Sequence, residues 1–384
     1  MVSGGRIPRC MLCGQLMVKN GKTRAGTTRW RCMTCGMSRV QCRDDIRYRK
    51  DTQLFVSWLF SHMPVEFLPV SRSTLSRHIQ WCWHVPVPSI PTTGVIEPQI
   101  LIDGIYLPYK WCLLIAMNTH HVLAWQWCHR ENTAAYKALL EQLVEPECVC
   151  LDGGPGAHRA LHETWPDVRI QRCLVHVARN IRVYLTSKPR TIAGKSLLTL
   201  SKKLLRIHTQ EQAIQWQQDI NQWYQTYGYV IHEVTANPRY PYESPAWWYT
   251  HARLRKAYRL LERLIRKQHL FTYLNTHQEN HQHLLNSTNR LEGGVNKTIR
   301  RLLSLHPGLS QDHMRCAIEW TLTSMSENPV DIITYLSTHH DEAITNTLVK
   351  PTTNEKPDTT INDHASTYDP QELQIHYGWA GRTT

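Results

Sequence analysis

Three acidic residues stand where chemistry could be done: Asp103 in LIDGIYL, Asp152 in VCLDGG and Glu292 in STNRLEGGVNKTIRR. Each Asp closes a short apolar run, and the Glu lies in a basic helical pattern far downstream. Two strand-borne Asp and a helix-borne Glu are what a site needs to hold two divalent ions at a phosphodiester. Such ions, ~3.5–4 Å apart, activate an attacking oxygen and stabilise a leaving one. They prefer carboxylate oxygens and keep waters for exchange with substrate. The chemistry this set supports is metal-dependent cutting and rejoining of DNA. Taken singly, each acid has a plainer explanation. Asp-Gly is a common turn pair, and Glu292 fits a solvated helix. Glu131, Glu279 and Glu319 lack a comparable context, and Asp167 falls in a loop before a strand.

The elements that must position these acids begin near residue 98. PQILIDGIYLP, YKWCLLIAMN and HVLAWQWCHR are strand-like runs with hairpin-length gaps. ENTAAYKALLEQLV follows as an amphipathic helix, ECVCLDGG as a fourth strand, AHRALHETW as a helix and DVRIQRC as a fifth strand. Three antiparallel strands, helix, strand, helix, strand is the ribonuclease H-like order. It puts Asp103 on the first strand and Asp152 at the end of its neighbour. Asn289, Glu292 and Asn296 share a helix face at i, i+3, i+7. The Asn pair could orient the carboxylate or contact DNA, or Asn289 could cap the helix. Gly293 and Gly294 weaken that helix by about 1 kcal/mol each relative to Ala, and close approach of a DNA backbone would explain them. Arg300 and Arg301, one or two turns on, are candidate phosphate contacts.

Residues 186–285 are too long for a loop inside a compact domain. Their pattern predicts an all-helical insertion, broken at ANPRYPYESP. Trp247 and Trp248, at the start of a basic helix, could stack on unpaired bases, although the favoured reading packs them between insertion and core. The basic run from Arg253 to Lys267 offers a DNA-lining face. Cys173 and His176 form a C-x2-H pair after the fifth strand, with no second half of a metal site nearby.

The N-terminal region carries Cys10, Cys13, Cys32 and Cys35 as C-x2-C-x18-C-x2-C, the spacing of a structural zinc site. Four thiolates close a tetrahedral shell and leave no position for chemistry. The segment between the pairs reads as the β-hairpin of a zinc ribbon. Arg29 and Arg31 flank it as candidate DNA contacts. Next, DTQLFVSWLFSHM predicts a helix capped by Asp51. PVEFLPV breaks it, and SRSTLSRHIQWCWH resumes it with Ser71 or Ser73 as cap. The second helix carries Arg72 and Arg77 and suits a recognition helix of a helix-turn-helix. VPVPSIPTTG reads as a linker.

Charge agrees with a polyanionic partner. The chain has 384 residues and a net charge of +13. Residues 1–50 hold 12 Lys/Arg against 2 Asp/Glu, and residues 326–384 hold 3 against 9. The basic head is the expected DNA contact, and the Thr-rich acidic tail reads as flexible. No apolar stretch approaches the ~20 residues of a membrane span. The N-terminus has no apolar signal region. The 12 Cys without a secretion signal fit a reducing cytosol. The expected domains are a zinc ribbon (1–50), a helix-turn-helix and linker (51–91), the first part of the α/β core (92–185), the insertion (186–285), the second part of the core (286–328) and the tail (329–384).

The motifs IDG at 102–104, LDGG at 151–154, CLVH at 173–176 and TNRLEGGVN at 288–296 together resemble the Mutator-like bacterial insertion-sequence transposases, a branch of the DDE transposases. The zinc ribbon with helix-turn-helix is similar to one subgroup, and the resemblance covers roughly residues 10–325. It implies that Asp103, Asp152 and Glu292 are a catalytic triad binding Mg²⁺ or Mn²⁺. It also makes Cys173 and His176 a structural signature near that site. The implied activity is binding of terminal inverted repeats, strand cleavage and strand transfer in the bacterial cytoplasm, on double-stranded DNA. A homodimer or larger assembly is implied as well. A DNA-binding regulator that has lost catalysis and a hydrolysis-only nuclease are the alternatives.

Overall fold

The computed structural model describes residues 7–10, 12–24, 26–40, 44–61, 70–242, 244–275 and 283–340. The described residues form two units, one before Val87 together with those after Val330, the other Val87–Val330.

The first unit opens with strands β1 (Met17–Lys22), β2 (Thr28–Cys32) and β3 (Ser38–Val40), paired antiparallel in that order. The expected hairpin is thus a three-stranded sheet. Period-two alternation buries Trp30 between the exposed Arg29 and Arg31. The core beneath is only Cys10, Met17, Trp30 and Cys32, with Met37 packed against it. So small a core needs a further clamp.

Helix α1 (Asp44–Phe60) and helix α2 (Arg72–Ile79) follow. The Ser71 hydroxyl caps α2, accepting from the Thr74 amide at 3.3 Å. Asp51 does not cap α1. The helix starts earlier, because the charged segment before Asp51 is itself helix-compatible. Asp51 is instead buried mid-helix, where Nδ1 of His78 on α2 lies 2.7 Å from its carboxylate. Leu75 and Ile79 are buried, and the rings of Phe55, Trp58 and Trp83 pack together. The expected turn between the helices falls mostly outside the described residues. The flexible-tail expectation is corrected at its start. Ile332–Thr338 is a helix capped by Asp331, with Ser337 hydrogen-bonded to Thr52 of α1 at 3.2 Å. Residues 341–384 lie outside the described residues.

In the second unit, β4 (Ile100–Tyr106), β5 (Cys112–Met117) and β6 (Val122–Cys128) are antiparallel neighbours. Helix α3 (Thr133–Leu140) leads to β7 (Cys148–Leu151), and helix α4 (Pro155–Thr164) to β8 (Arg169–Arg172). The sheet order is β6-β5-β4-β7-β8, with β4, β7 and β8 mutually parallel. β5 is buried at every position, as a strand covered on both faces must be. On one face Ile102 and Leu114 pack with Tyr136 and Leu139 of α3 and Leu161 of α4.

Helix α5 (Leu174–Leu185) leaves the sheet and enters the insertion, which holds α6 (Ile192–Lys203), α7 (Gln210–His232), β9 (Val234–Ala236), β10 (Trp247–Tyr249) and α8 (Ala252–Arg266). The insertion is therefore not all-helical. β9 and β10 pair as an antiparallel hairpin around the Pro- and Tyr-rich break. Its core joins Val177 and Ile181 of α5 to Leu197, Trp216, Trp223, Leu254 and Leu261. Trp247 and Trp248 lie in β10, 48% and 44% exposed, so they are not plugs between insertion and core. Part of the basic run holds the insertion together. Arg253 donates to the Val183 carbonyl, Arg255 lies 3.9 Å above the Tyr249 ring, and Arg259 pairs with Glu262.

The insertion returns along the sheet edge. The Arg172 amide donates to the His269 carbonyl (2.7 Å) and the Thr272 hydroxyl to the Ile170 carbonyl (2.7 Å). Further on, the Leu285 amide donates to the Gln99 side-chain oxygen (2.7 Å), just before β4. A π-helical segment, Leu291–Asn296, then runs into α9 (Lys297–Leu305) and α10 (Gln311–Thr323).

Candidate active site and metal centre

Parallel pairing of Ile102 with Leu151 places Asp103 beside Asp152, which directly follows β7. The loop after β7 is tightly built. The Gly154 amide donates to Asp152 Oδ1 at 3.0 Å. Gly153 has φ +89°, and a Cβ there would fall 0.8 Å from the Arg172 guanidinium. Only glycine meets both demands. The buried Arg172 thus braces the acidic loop from the end of β8.

Glu292 arrives from the far side of the insertion. The Leu174 amide donates to the Asn286 carbonyl at 2.9 Å. The buried Thr288 donates from amide and hydroxyl to the Cys173 sulfur, at 3.3 and 3.4 Å. The Thr288 carbonyl accepts from the Leu291 and Glu292 amides. On α5, His176 Nε2 lies 3.2 Å from Glu292 Oε1 and Arg179 lies 3.6 Å from Oε2. The C-x2-H pair therefore has two positions with two tasks: Cys173 anchors the returning chain, and His176 faces the carboxylate. Burial raises the Cys173 thiol and lowers the His176 imidazole. Their mutual contact outweighs burial, so the thiol ends below its usual range and the imidazole is raised to about 9.

Asn296 is buried, and its amide donates to Asp103 Oδ2 at 3.2 Å. It orients Asp103 rather than Glu292. Asn289 is exposed. Gly293 and Gly294 are exposed, with nothing within 4 Å of a Cβ at either. The protein itself does not require glycine there. The exposed Arg300 and Arg301 follow on α9.

The Asp103 carboxyl is held well above the usual carboxylate range, by burial first and by Asp152 second. Glu292 and Glu131 add to the rise and His176 opposes it. Asn296 Oδ1 is buried and has no hydrogen-bond donor among the described residues. Crowded carboxylates and an orphaned buried oxygen beside them fit a divalent cation with oxygen ligands. Glu131, set aside on sequence grounds, belongs to this neighbourhood. The available signal was Gly104 inside a strand, which marks close approach of another group. Arg172, Arg179, Tyr136 and Thr288 were also missed, since each reaches the site only through tertiary contacts. Glu319 instead accepts from the Trp127 indole at 2.7 Å, and Glu279 is outside the described residues.

In the first unit, the sulfurs of Cys10, Cys13, Cys32 and Cys35 lie within 4.8 Å of one another. The two pairs sit on matching turns. The Gly14 amide donates to the Cys10 carbonyl and Gly36 to Cys32, with φ of +71° and +72° at the glycines. Backbone amides, above all that of Cys35, lower the Cys32 thiol to about 6, and that of Cys13 leads the lowering of Cys10, while hydrogen bonds among the sulfurs raise Cys13 and Cys35. Two thiols biased to thiolate within a four-sulfur cluster fit a metal such as zinc. Arg29, Arg31, Arg72 and Arg77 are all exposed.

Comparison with known proteins assigns the chain a family. The family model "Transposase, Mutator family" matches residues 115–307, half of the chain. The chain belongs to the Mutator family of transposases. It is similar to the transposase for insertion sequence element IS905 of Lactococcus lactis subsp. lactis, 29% identical over 132 residues. That alignment spans 30% of this chain and 33% of the relative, so about a third of the relative's length is matched. The family match contains Asp152, Cys173, His176, Glu292 and Asn296. Asp103 lies outside it and is joined to it by the β4–β7 pairing.

Proposed function

We propose that this chain is an insertion-sequence transposase that cleaves and joins DNA at a ribonuclease H-like core of the DDE type. What supports the reading is the β4–β7 pairing that sets Asp103 beside Asp152, with Asp152 and Glu292 both raising the Asp103 carboxyl, in a Mutator-family chain. Asp103, Asp152 and Glu292 would hold Mg²⁺ or Mn²⁺. Such ions, when bound, neutralise phosphate charge and activate an attacking oxygen. Asn296 fixes the Asp103 carboxylate, His176 and Arg179 fix Glu292, and Arg172 with Gly153 fixes the loop of Asp152. In the first step water attacks the phosphodiester at the element end, breaking a P–O bond and freeing a 3′-OH. In the second, that hydroxyl attacks a target phosphodiester. One P–O bond forms and one breaks, so no external energy source is needed.

The first unit would recognise the terminal repeats. α2 buries Leu75 and Ile79 and exposes Arg72, Ser76 and Arg77, with exposed Gln80 just past its end, the division a major-groove helix needs. A zinc ion on the four cysteines would stiffen the basic ribbon, and Arg29, Arg31, Arg300 and Arg301 offer phosphate contacts. Assembly on paired ends as a dimer or larger oligomer belongs to the same proposal.

The test is cleavage and strand transfer on a labelled element-end duplex in Mg²⁺ or Mn²⁺, with binding followed on the same duplex. Asp103→Asn, Asp152→Asn and Glu292→Gln are each expected to lose on the order of 10²–10³-fold or more in cleavage while binding survives. Binding without cleavage by the wild type would convert the reading to a regulator. Cleavage without strand-transfer products would convert it to a nuclease.

A further inference from the structure

Glu131 sits in the turn between β6 and α3, apart in sequence from the three acids. We infer that Glu131 is a fourth carboxylate of the acidic site, which strengthens divalent-cation binding through its charge and is not itself a ligand. The inference rests on the metal-dependent reading above.

Two glycines make room for this residue. A Cβ at Gly104 would lie 2.6 Å from Glu131 Oε1 and 2.8 Å from its Cδ. The carboxylate therefore lies against β4 one residue from Asp103. A Cβ at Gly156 would come 2.9 Å from the Glu131 carbonyl oxygen and 3.1 Å from the carbonyl carbon of Asn132. The start of α4, which follows the Asp152 loop, thus packs on the same turn. Glu131 is held between the two segments that carry the paired Asp residues.

The turn is also pinned from α3. Asn132 caps that helix, accepting from the Ala135 amide at 2.9 Å. The buried Tyr136 hydroxyl donates to Glu131 Oε2 at 2.8 Å. The charge of Glu131 reaches the site. Its carboxylate lies against Gly104, one residue from Asp103 on β4. The Tyr136 phenol is raised first by burial and next by Glu131, with Asp152 and Asp103 also contributing. A merely structural role needs hydrogen-bond acceptors for the Tyr136 hydroxyl and, at Oε1, the Cys112 thiol, and a glutamine oxygen supplies the first. The role inferred here needs the charge.

The experiment is direct Mn²⁺ titration of the full chain, zinc-loaded, by calorimetry or by the electron paramagnetic resonance signal of free Mn²⁺. Wild type, Asp103→Asn, Glu131→Gln, Glu131→Asp and Tyr136→Phe are compared. Glu131→Gln is expected to weaken Mn²⁺ binding by between roughly fourfold and a few hundredfold, the scale of one charge ~10 Å from a divalent ion at effective dielectrics between about 80 and 20. Glu131→Asp recovers part of the loss. Tyr136→Phe, which keeps the charge and removes the hydrogen bond, stays within about twofold of wild type on the same argument. Wild-type affinity in Glu131→Gln overturns the inference, as does a loss in Tyr136→Phe equal to that in Glu131→Gln. A wild type that binds no more Mn²⁺ than Asp103→Asn sinks the metal reading itself, a different outcome.

Discussion

Asp103 pays in stability for its place in the site. Its carboxyl is crowded by Asp152, Glu292 and Glu131, with His176 opposing their effect on it. A raised carboxyl pKa means that the folded state holds a proton more tightly than the unfolded chain does. Its contribution is therefore fully present below the usual carboxylate range and is lost as pH rises through the raised value. At neutral pH, without a divalent ion, Asp103→Asn removes this repulsion. It is expected to raise the melting temperature by roughly 1 °C or more, the shift that about 1 kcal/mol gives in a chain of this size. Saturating Mn²⁺ should narrow or reverse the gap, because ion binding to the native state stabilises wild type alone. Thermal melts of both proteins with and without Mn²⁺ make the check. A variant less stable than wild type under metal-free conditions contradicts the account of crowded charge. At this scale the three main acids were legible because each carries a local motif. Glu131 was not, because its relation to Asp103 exists only once β4, α3 and α4 have closed on one another.

The elements that deliver the acids are joined by a few specific contacts, and Gly153 carries a demanding one. Its φ of +89° is strained for any side chain, and Arg172 occupies the space a Cβ would take. Gly153→Ala is expected to destabilise the protein by about 2–4 kcal/mol. Gly153→Ala combined with Arg172→Ala should regain part of that, since the steric conflict is removed and the backbone strain remains. Urea unfolding of the single and double variants measures both, and a neutral Gly153→Ala would contradict the brace. Strand order was readable here from the apolar runs and their spacing, and the β4–β7 pairing follows it. Two element readings failed for physical reasons. Asp51 looked like a cap because it precedes an apolar pattern, yet its carboxylate is used to clamp α2 onto α1. The hairpin β9–β10 was hidden by the Pro- and Tyr-rich break between its strands. The π-helical turn at Leu291–Asn296 was equally invisible, although its glycines marked a weakened helix.

On the scale of the whole molecule, charge and connectivity are arranged around one task. On the proposed function, the net charge of +13 supplies the counterion-release term of DNA binding, and the exposed Arg29, Arg31, Arg72 and Arg77 would concentrate it in the first unit. Among the described residues no helix is long and apolar enough to cross a membrane. The insertion departs after Cys173 and returns at Asn286, with both ends held beside the acids, so a large helical body adds to the core without displacing its site. Composition revealed the basic head, and cysteine spacing revealed the four-sulfur cluster. The return of Ile332–Thr338 to the first unit had no such signal, because a short amphipathic helix in an acidic segment resembles a solvated tail. The central claim is that Asp103, Asp152 and Glu292 form one divalent-metal site. The most direct measurement is anomalous diffraction from crystals of the full chain soaked in Mn²⁺. The account predicts manganese density bounded by Asp103 and Asp152 with Glu292 as a further ligand, absent in Asp103→Asn crystals. Manganese bound elsewhere, with none at these three carboxylates, would contradict it.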